Sequence, residues 1–280
     1  MSDPHKNLLS FKSAKKAMLC SLNHINKTEI KNLKDCEDRI LAKDIFSEIN
    51  VPEFDNSAVD GFGFINSNEI ERELEIIGES RPGKPFLKKI KKNQAIKIYT
   101  GAYILRDITR VNTVCMEEDC YSDGKKVRIT KKFKTGNNIR MKGEDVKKKQ
   151  RIFLSGRKIR SMDLAQLSSI GIKKIKVFKK IRVGIFSSGD ELCEFPKKKS
   201  KYEIYDANKL VLVSLFKKIG CEVNDLGIIK DNYSETKKLI LNKIKSLDVI
   251  ITSGGISKSK TDKIGKFFES NAQIKFWRLS

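Results

Sequence analysis

The chain has 280 residues, with 58 Lys plus Arg against 35 Asp plus Glu, a formal charge of +23 and only two His. Hydrophobic residues make up 39%, which is enough for packed cores in about two domains and excludes wholesale disorder. The longest apolar runs, Val183 to Phe186 and Val249 to Ile251 among them, fall far short of the ~20 residues a spanning helix needs. The N-terminal MSDPHKNLLS lacks the pattern of a secretory leader, so a cytoplasmic protein is expected.

Residues 8–25 read as a helix, with Ala14, Ala17, Met18 and Leu22 recurring on one face. Asp38 to Ile45 reads as a second short helix that Pro52 closes. From about 48 to 140 the texture changes. Short β-like runs (Leu74 to Ile77, Ala95 to Tyr99, Val111 to Met116, Val127 to Ile129) alternate with Gly, Asn, Asp and Pro clusters, as in a small mainly β domain. Residues 161–170 are helical, with Ser161 as N-cap, Asp163 in the first turn and Gly171 at the stop. Ile172 to Phe178 reads as a strand.

From residue 181 the order is βαβαβ. IRVGIF, CEVNDLGII and DVIITSGG read as strands. A helix over 206–219 places Leu212, Leu215, Phe216 and Ile219 on one face. A helix over 234–247 turns Ile240, Ile244 and Leu247 inward. This order implies parallel strands with right-handed crossovers, and ligands beyond their carboxyl ends.

The basic residues are 46 Lys and 12 Arg. Their clusters (Lys88, Lys89, Lys91 and Lys92; Lys147 to Lys149; Lys197 to Lys199) are scattered, which suits solvated faces and a field that attracts an anionic small molecule. A nucleic-acid binder is the weaker reading, and specific nucleic-acid recognition is not expected. The six Cys form no C-x-x-C pair, and Cys115 and Cys120 have no His nearby, so reduced, mostly buried thiols are expected.

The chemistry gathers at the strand ends. In SSGDEL, Ser187, Ser188 and Gly189 let backbone N–H groups approach an anion, and Asp190 and Glu191 add carboxylates of the kind that take Mg²⁺ beside phosphate. In TSGGIS, Gly254 and Gly255 permit close approach, Ser253 and Ser257 offer hydroxyls, and Asp262 follows. FDNSAVDGFGF packs Asp55, Asn56, Ser57 and Asp60 among glycines, with Phe54, Phe62 and Phe64 as core anchors, and TGA places Thr100 after a strand. Each turn alone also suits an ordinary structural role. Together, in a chain so poor in His, they favour metal-assisted chemistry on a phosphorylated ligand over a His-based nucleophile.

In this order FDNSAVDGF, IKIYTGA, MKGEDV, VGIFSSGDEL, IYDANKLVL, LGIIKD and DVIITSGGISKSKTD resemble the molybdopterin molybdenumtransferase family, the MoeA-type enzymes and the gephyrin E domain. CEDRILAKDI at 36–45 is similar to the family's N-terminal pattern. The resemblance implies an α/β multidomain fold. Residues 1–47 with 141–178 would form an elongated linker domain, 48–140 an inserted β-rich domain, and 179–280 a doubly wound, molybdopterin-binding βαβ domain. Family members continue past IKFWRLS through P-G-K-P and L-P-G-N-P turns into a further domain, so the last domain is expected to be incomplete at its C-terminus.

The resemblance further implies insertion of molybdate into adenylylated molybdopterin with release of AMP, Mg²⁺ as cofactor, and a homodimer. Asp60, Thr100, Glu191, Asp231 and Asp262 would be catalytic. Asp60, Asp145, Glu191 and Asp262 would hold the metal. Ser187, Ser188, Gly189, Ser253, Gly254, Gly255 and Ser257 would bind the pterin phosphate or the AMP part. The sequence departs from the family at Ser259 and Lys260, where a Gly and an acid are usual, and at YILRD (103–107), where a Pro and a Gly are usual. With the early end, these departures leave a second reading open: a truncated relative that binds molybdopterin without catalysis.

Overall fold

The computed structural model describes residues 9–22, 24, 26–67, 72–230, 232–254 and 263–274. The chain divides into two compact units, Lys31–Ile175 and Met1–Ile30 with Lys176–Ser280. Among the described residues no helix is long and apolar enough to cross a membrane. All six cysteines are free thiols, with Cys36, Cys115 and Cys193 buried and Cys20 exposed.

Helix α1 (Phe11–Ser21) is shorter than the apolar spacing predicts, because the Ser10 hydroxyl accepts the Ser13 N–H and caps it. It buries only Ala14.

The unit Lys31–Ile175 is built on a six-stranded curled sheet. Its strands are β1 (Gly61–Phe64), β2 (Arg72–Ser80), β3 (Gln94–Ile98), β4 (Thr113–Met116), β5 (Cys120–Ser122) and β6 (Lys126–Ile129), in the order β4-β1-β3-β2-β6-β5. The β2–β3 pair is parallel and the other pairs are antiparallel. Phe62, Phe64, Leu74, Val127 and Ile129 form one core cluster, and Ile96, Ile98, Ala102 and Val114 another. Strand β1 sits close to β4 because Gly61 has no side chain: a Cβ there would lie 1.8 Å from the Cys115 carbonyl oxygen. Phe62 and Phe64 are core anchors as expected, but Phe54 is exposed, with its ring 5.0 Å from that of Tyr103.

The helix expected over Asp38 to Ile45 is absent. Asp38 takes a left-handed φ of 60°, and the segment extends to pair with residues 151–159. The Asp38 and Leu41 N–H groups donate to the Ile159 and Arg157 carbonyls, each at 2.9 Å. Long-range pairing that buries Leu41 and Ile159 overrides the local helical spacing. Helix α2 (Ser161–Ser169) starts one residue earlier than Ser161 suggests as a cap. Arg160 is the N-cap, and the Asp163 carboxylate accepts the Arg160 N–H and both the Arg157 and Arg160 guanidinium groups. That carboxylate is almost fully buried, and the hydrogen bonds from Arg157, foremost, hold its pKa far below the usual range.

In the other unit, β7 (Arg182–Ser188), α3 (Asn208–Lys218), β8 (Glu222–Ile229), α4 (Tyr233–Lys243), β9 (Val249–Ser253) and α5 (Lys263–Asn271) follow one another. The sheet order is β8-β7-β9 and all strands are parallel, as the βαβαβ pattern requires. Central β7 is buried from Val183 to Ser188. Phe186, Ile229, Ile240, Ile264 and Phe267 form the core. At Gly184 a Cβ would meet Leu247 at 2.5 Å and Leu226 at 2.8 Å, so glycine lets both leucines close over the sheet.

One inward expectation is corrected, and the shared apolar face of the helix over 206–219 is only partly covered. Ile244, expected inward, is 53% exposed, and on the apolar face Leu215 of α3 and its C-cap Ile219 are 53% and 70% exposed. The inward position of α3 goes to Lys209, which is buried. Its ammonium lies 2.6 Å from Glu194 Oε1 and 3.0 Å from Asp225 Oδ1. Burial works against that charge, but the Glu194 and Asp225 hydrogen bonds outweigh it and the Lys209 pKa is raised.

At the amino end of the sheet the Arg182 guanidinium and its own N–H both bind the Asp248 carboxylate, at 2.9–3.1 Å. The Arg182 hydrogen bonds pull the Asp248 pKa from 3.8 to about 2. A depressed carboxylate stabilises the fold above its unfolded pKa and loses that contribution as pH falls through the folded pKa. Asp248→Asn should therefore cost roughly 1 kcal/mol at neutral pH, allowing for solvent screening of a partly exposed pair. The difference from the parent should vanish as pH falls from about 4 towards about 2. Urea denaturation at several pH values measures it, and a pH-independent difference would exclude this origin.

Candidate functional site

The first group of site residues lies at the carboxyl ends of β7 and β9. The register pairs Ser187 with Ser253 and places Ser188 opposite Ile229 of β8. Gly254 leaves β9 with a φ of +89°, and a Cβ there would lie 2.5 Å from the Ser188 carbonyl oxygen. Only glycine combines that left-handed turn with so close an approach. The two serine-glycine turns are thereby held against each other. Ser187 is fully buried, and its Oγ has no hydrogen-bond partner. An orphaned buried hydroxyl at a strand end is a group in search of a ligand or a water.

The loop after β7 is fixed through three successive carbonyls. The Lys230 ammonium donates to the Asp190 carbonyl at 2.7 Å and to the Leu192 carbonyl at 3.3 Å. The Ile204 N–H donates to the Glu191 carbonyl between them, at 2.8 Å. Glu191 is itself exposed, and its carboxylate folds over Gly189, where a Cβ would lie 2.6 Å from Oε2. Asp231, Gly255, Ser257, Ser259, Lys260 and Asp262 lie outside the described residues.

The second group lies in the unit Lys31–Ile175. The Thr100 N–H and hydroxyl both donate to Asp60 Oδ1, at 2.6 Å and 2.8 Å. The TGA turn is carried to this position by backbone pairing: the Gly101 N–H donates to Ser57 and the Ser57 N–H to Ala102. The Thr100 N–H, then its hydroxyl, hold the exposed Asp60 carboxyl below its ordinary pKa of 3.8. Asp145 is engaged otherwise. Its Oδ2 lies 2.6 Å from the Arg140 guanidinium, which also binds Glu144 at 2.5 Å. Sequence reasoning passed over Arg140 and Lys230. The signal for Lys230 was available, since it stands directly after β8 at the same edge as the serine-glycine turns.

Among the described residues no three His, Cys, Asp or Glu side chains converge as a metal site. Each unit offers hard oxygen donors of its own, the Glu191 carboxylate in one and the Asp60–Thr100 pair in the other, of the kind that suits Mg²⁺ and not a thiophilic metal.

The family described as MoeA N-terminal region (domain I and II) matches residues 9–171, and that described as probable molybdopterin binding domain matches residues 184–279. A molybdopterin molybdenumtransferase of Haemophilus influenzae is 34% identical over 275 residues, covering 98% of this chain and 67% of that protein. One of Staphylococcus epidermidis is 30% identical, covering 100% of this chain and 68% of its own length. The crystal structure of the molybdopterin biosynthesis moeA protein from Pyrococcus horikoshii superposes with a TM-score of 0.81 at 31% identity, over 89% of this chain and 67% of that one. The chain thus spans about two thirds of the length of these relatives.

Two substitutions test the geometry. Gly254→Ala should lower stability by about 1–3 kcal/mol, read by urea unfolding, because it strains the left-handed turn and drives a methyl into the Ser188 carbonyl. Thr100→Val removes one of the two hydrogen bonds to Asp60, so the Asp60 pKa should rise part of the way back to its ordinary value. A carbon-detected NMR titration of the Asp60 carboxyl reads this, and an unmoved or lowered pKa would contradict the assignment.

Proposed function

Since the chain belongs to the molybdopterin molybdenumtransferase family of molybdenum cofactor biosynthesis, we propose that it inserts molybdate into adenylylated molybdopterin and releases AMP in a Mg²⁺-dependent reaction. The observation that carries this reading is the strand-end cradle. Gly254 is pressed on the Ser188 carbonyl, and the Ser187 hydroxyl is buried beside it without a partner. Parallel strands ending in small residues present backbone N–H groups to an anionic ligand.

In the mechanism we infer, Ser187, Ser188, Gly189, Ser253 and Gly254, with Gly255 and Ser257, seat the phosphorylated part of the substrate. Glu191 holds its carboxylate at the same edge. Asp60, kept ionised by Thr100, presents one fixed negative charge and a free second oxygen. At the strand-end turns Glu191 and Asp262 would hold Mg²⁺, which when bound would neutralise phosphoanhydride charge and favour departure of AMP, and Asp60 is a candidate Mg²⁺ ligand within its own unit. Asp145 is a weaker candidate, since Arg140 already satisfies it. Asp231 and Asp262 stand in the proposal on their motif positions. Residues 1–47 with 141–178, 48–140 and 179–280 serve as the linker, inserted and molybdopterin-binding domains, in a cytoplasmic homodimer.

AMP release from adenylylated molybdopterin with molybdate and Mg²⁺ tests the reading. Glu191→Ala and Asp262→Ala should each lower turnover by about a hundredfold or more with the thermal unfolding profile retained. Parent-level AMP release by both variants would remove these carboxylates from the site. Tight substrate binding with no AMP release by the parent chain would make it a binding protein and not a transferase.

A further inference from the structure

The strand-end loop owes its shape to a residue that carries no chemistry in the proposed reaction. We propose that Lys230 is a positioning residue for Glu191, and this rests on the reading of Glu191 as part of the site.

Lys230 follows β8 directly, and its ammonium reaches across to the loop after β7, the neighbouring parallel strand. There it donates to the carbonyls on either side of Glu191, Asp190 at 2.7 Å and Leu192 at 3.3 Å. The Glu191 carbonyl is taken by the Ile204 N–H at 2.8 Å, so all three successive carbonyls are held from outside the loop. Lys230 also lies 3.9 Å from Glu203 Oε1, and the other oxygen of that carboxylate accepts the Ser200 N–H at 2.8 Å. One cation thus ties together the segments that begin at Gly189 and at Ser200. The charge-assisted hydrogen bonds from Lys230 resist rotation of the 190–191 and 192–193 peptides, and the Ile204 N–H holds the 191–192 peptide between them. The direction in which Glu191 leaves the backbone, and hence the place of its carboxylate over Gly189, follows from that restraint. A group held in its reacting position before the ligand arrives does not have to be ordered during the reaction.

The alternative role for Lys230 is direct contact with an anionic ligand. The two roles separate experimentally. A positioning cation acts through Glu191 and affects kcat, whereas a ligand-binding cation acts on KM whether or not Glu191 is present.

The test uses the full chain, its Lys230→Met, Lys230→Arg and Glu191→Ala variants, and the Glu191→Ala/Lys230→Met double variant. The first readout is amide hydrogen exchange without ligand. Lys230→Met should speed exchange of the Leu192 and Ile204 amides about tenfold, while the amides of β7 keep their protection and Lys230→Arg restores the parent rates. Unchanged exchange of both amides in Lys230→Met overturns the proposal, and so does loss of protection throughout β7. This readout stands even if the chain proves not to release AMP, so failure of the functional reading remains distinct from failure of this one. The second readout is AMP release. Lys230→Met should lower kcat about tenfold with KM within about twofold, Lys230→Arg should recover most of it, and the double variant should be no slower than Glu191→Ala alone. A rise in KM without a fall in kcat, or equal losses from Lys230→Met in the parent and Glu191→Ala backgrounds, overturns positioning in favour of direct ligand contact.

Discussion

The register of β7 against β9 is fixed at both ends, and the proposed strand-end site depends on it. At the amino end Arg182 grips Asp248 through its guanidinium and its own N–H. At the carboxyl end Gly254 rests on the Ser188 carbonyl. A parallel pair has no hairpin to set its alignment, so register must come from such long-range contacts and from side-chain packing. A slip of one residue would turn Ser187 to the other face of the sheet and separate the two serine-glycine turns. The buried run from Val183 to Phe186 supplies stability, and the two clamps supply the alignment.

Charge is handled differently in the framework and at the proposed site residues of the two units. Asp163 with Arg157 and Arg160, and Lys209 with Glu194 and Asp225, are buried charges surrounded by opposite charge. Breaking either set would strand a buried ion, which costs several kcal/mol, so these groups act as pins for α2 and α3. Asp60 and Glu191 are exposed and face solvent from rigid backbone.

Much of this architecture was legible in the sequence, for reasons that differ by element. Val127 and Ile129 alternate with Lys126 and Arg128, and β6 shows that alternation as buried and exposed positions. The uninterrupted apolar run of β7 marked a central strand, because a strand covered on both faces carries no polar alternation. The failures came where partners are distant. Asp38 to Ile45 has helical spacing, but its backbone groups bond to residues more than a hundred positions away. Spacing put Leu215 and Ile219 on one apolar face, yet both are exposed, and the buried place on α3 belongs to a lysine that Glu194 and Asp225 make tolerable. In the site, the motif order singled out Asp60 and Thr100, and the structure joins them by two hydrogen bonds. It could not show that Asp145 is bound to Arg140, because a side-chain pairing is not written in spacing.

The Asp60–Thr100 contact has a consequence for ionic strength. The groups that chiefly lower the Asp60 pKa are a neutral N–H and a neutral hydroxyl, with Lys97 the least of its contributors. Short-range dipoles are not screened by dissolved ions in the way that distant charges are. The +23 field that draws anions towards the chain weakens as salt rises, but the charge at Asp60 does not follow it. Salt therefore acts on the attraction of anions to the chain more than on the hydrogen bonds that lower the Asp60 pKa.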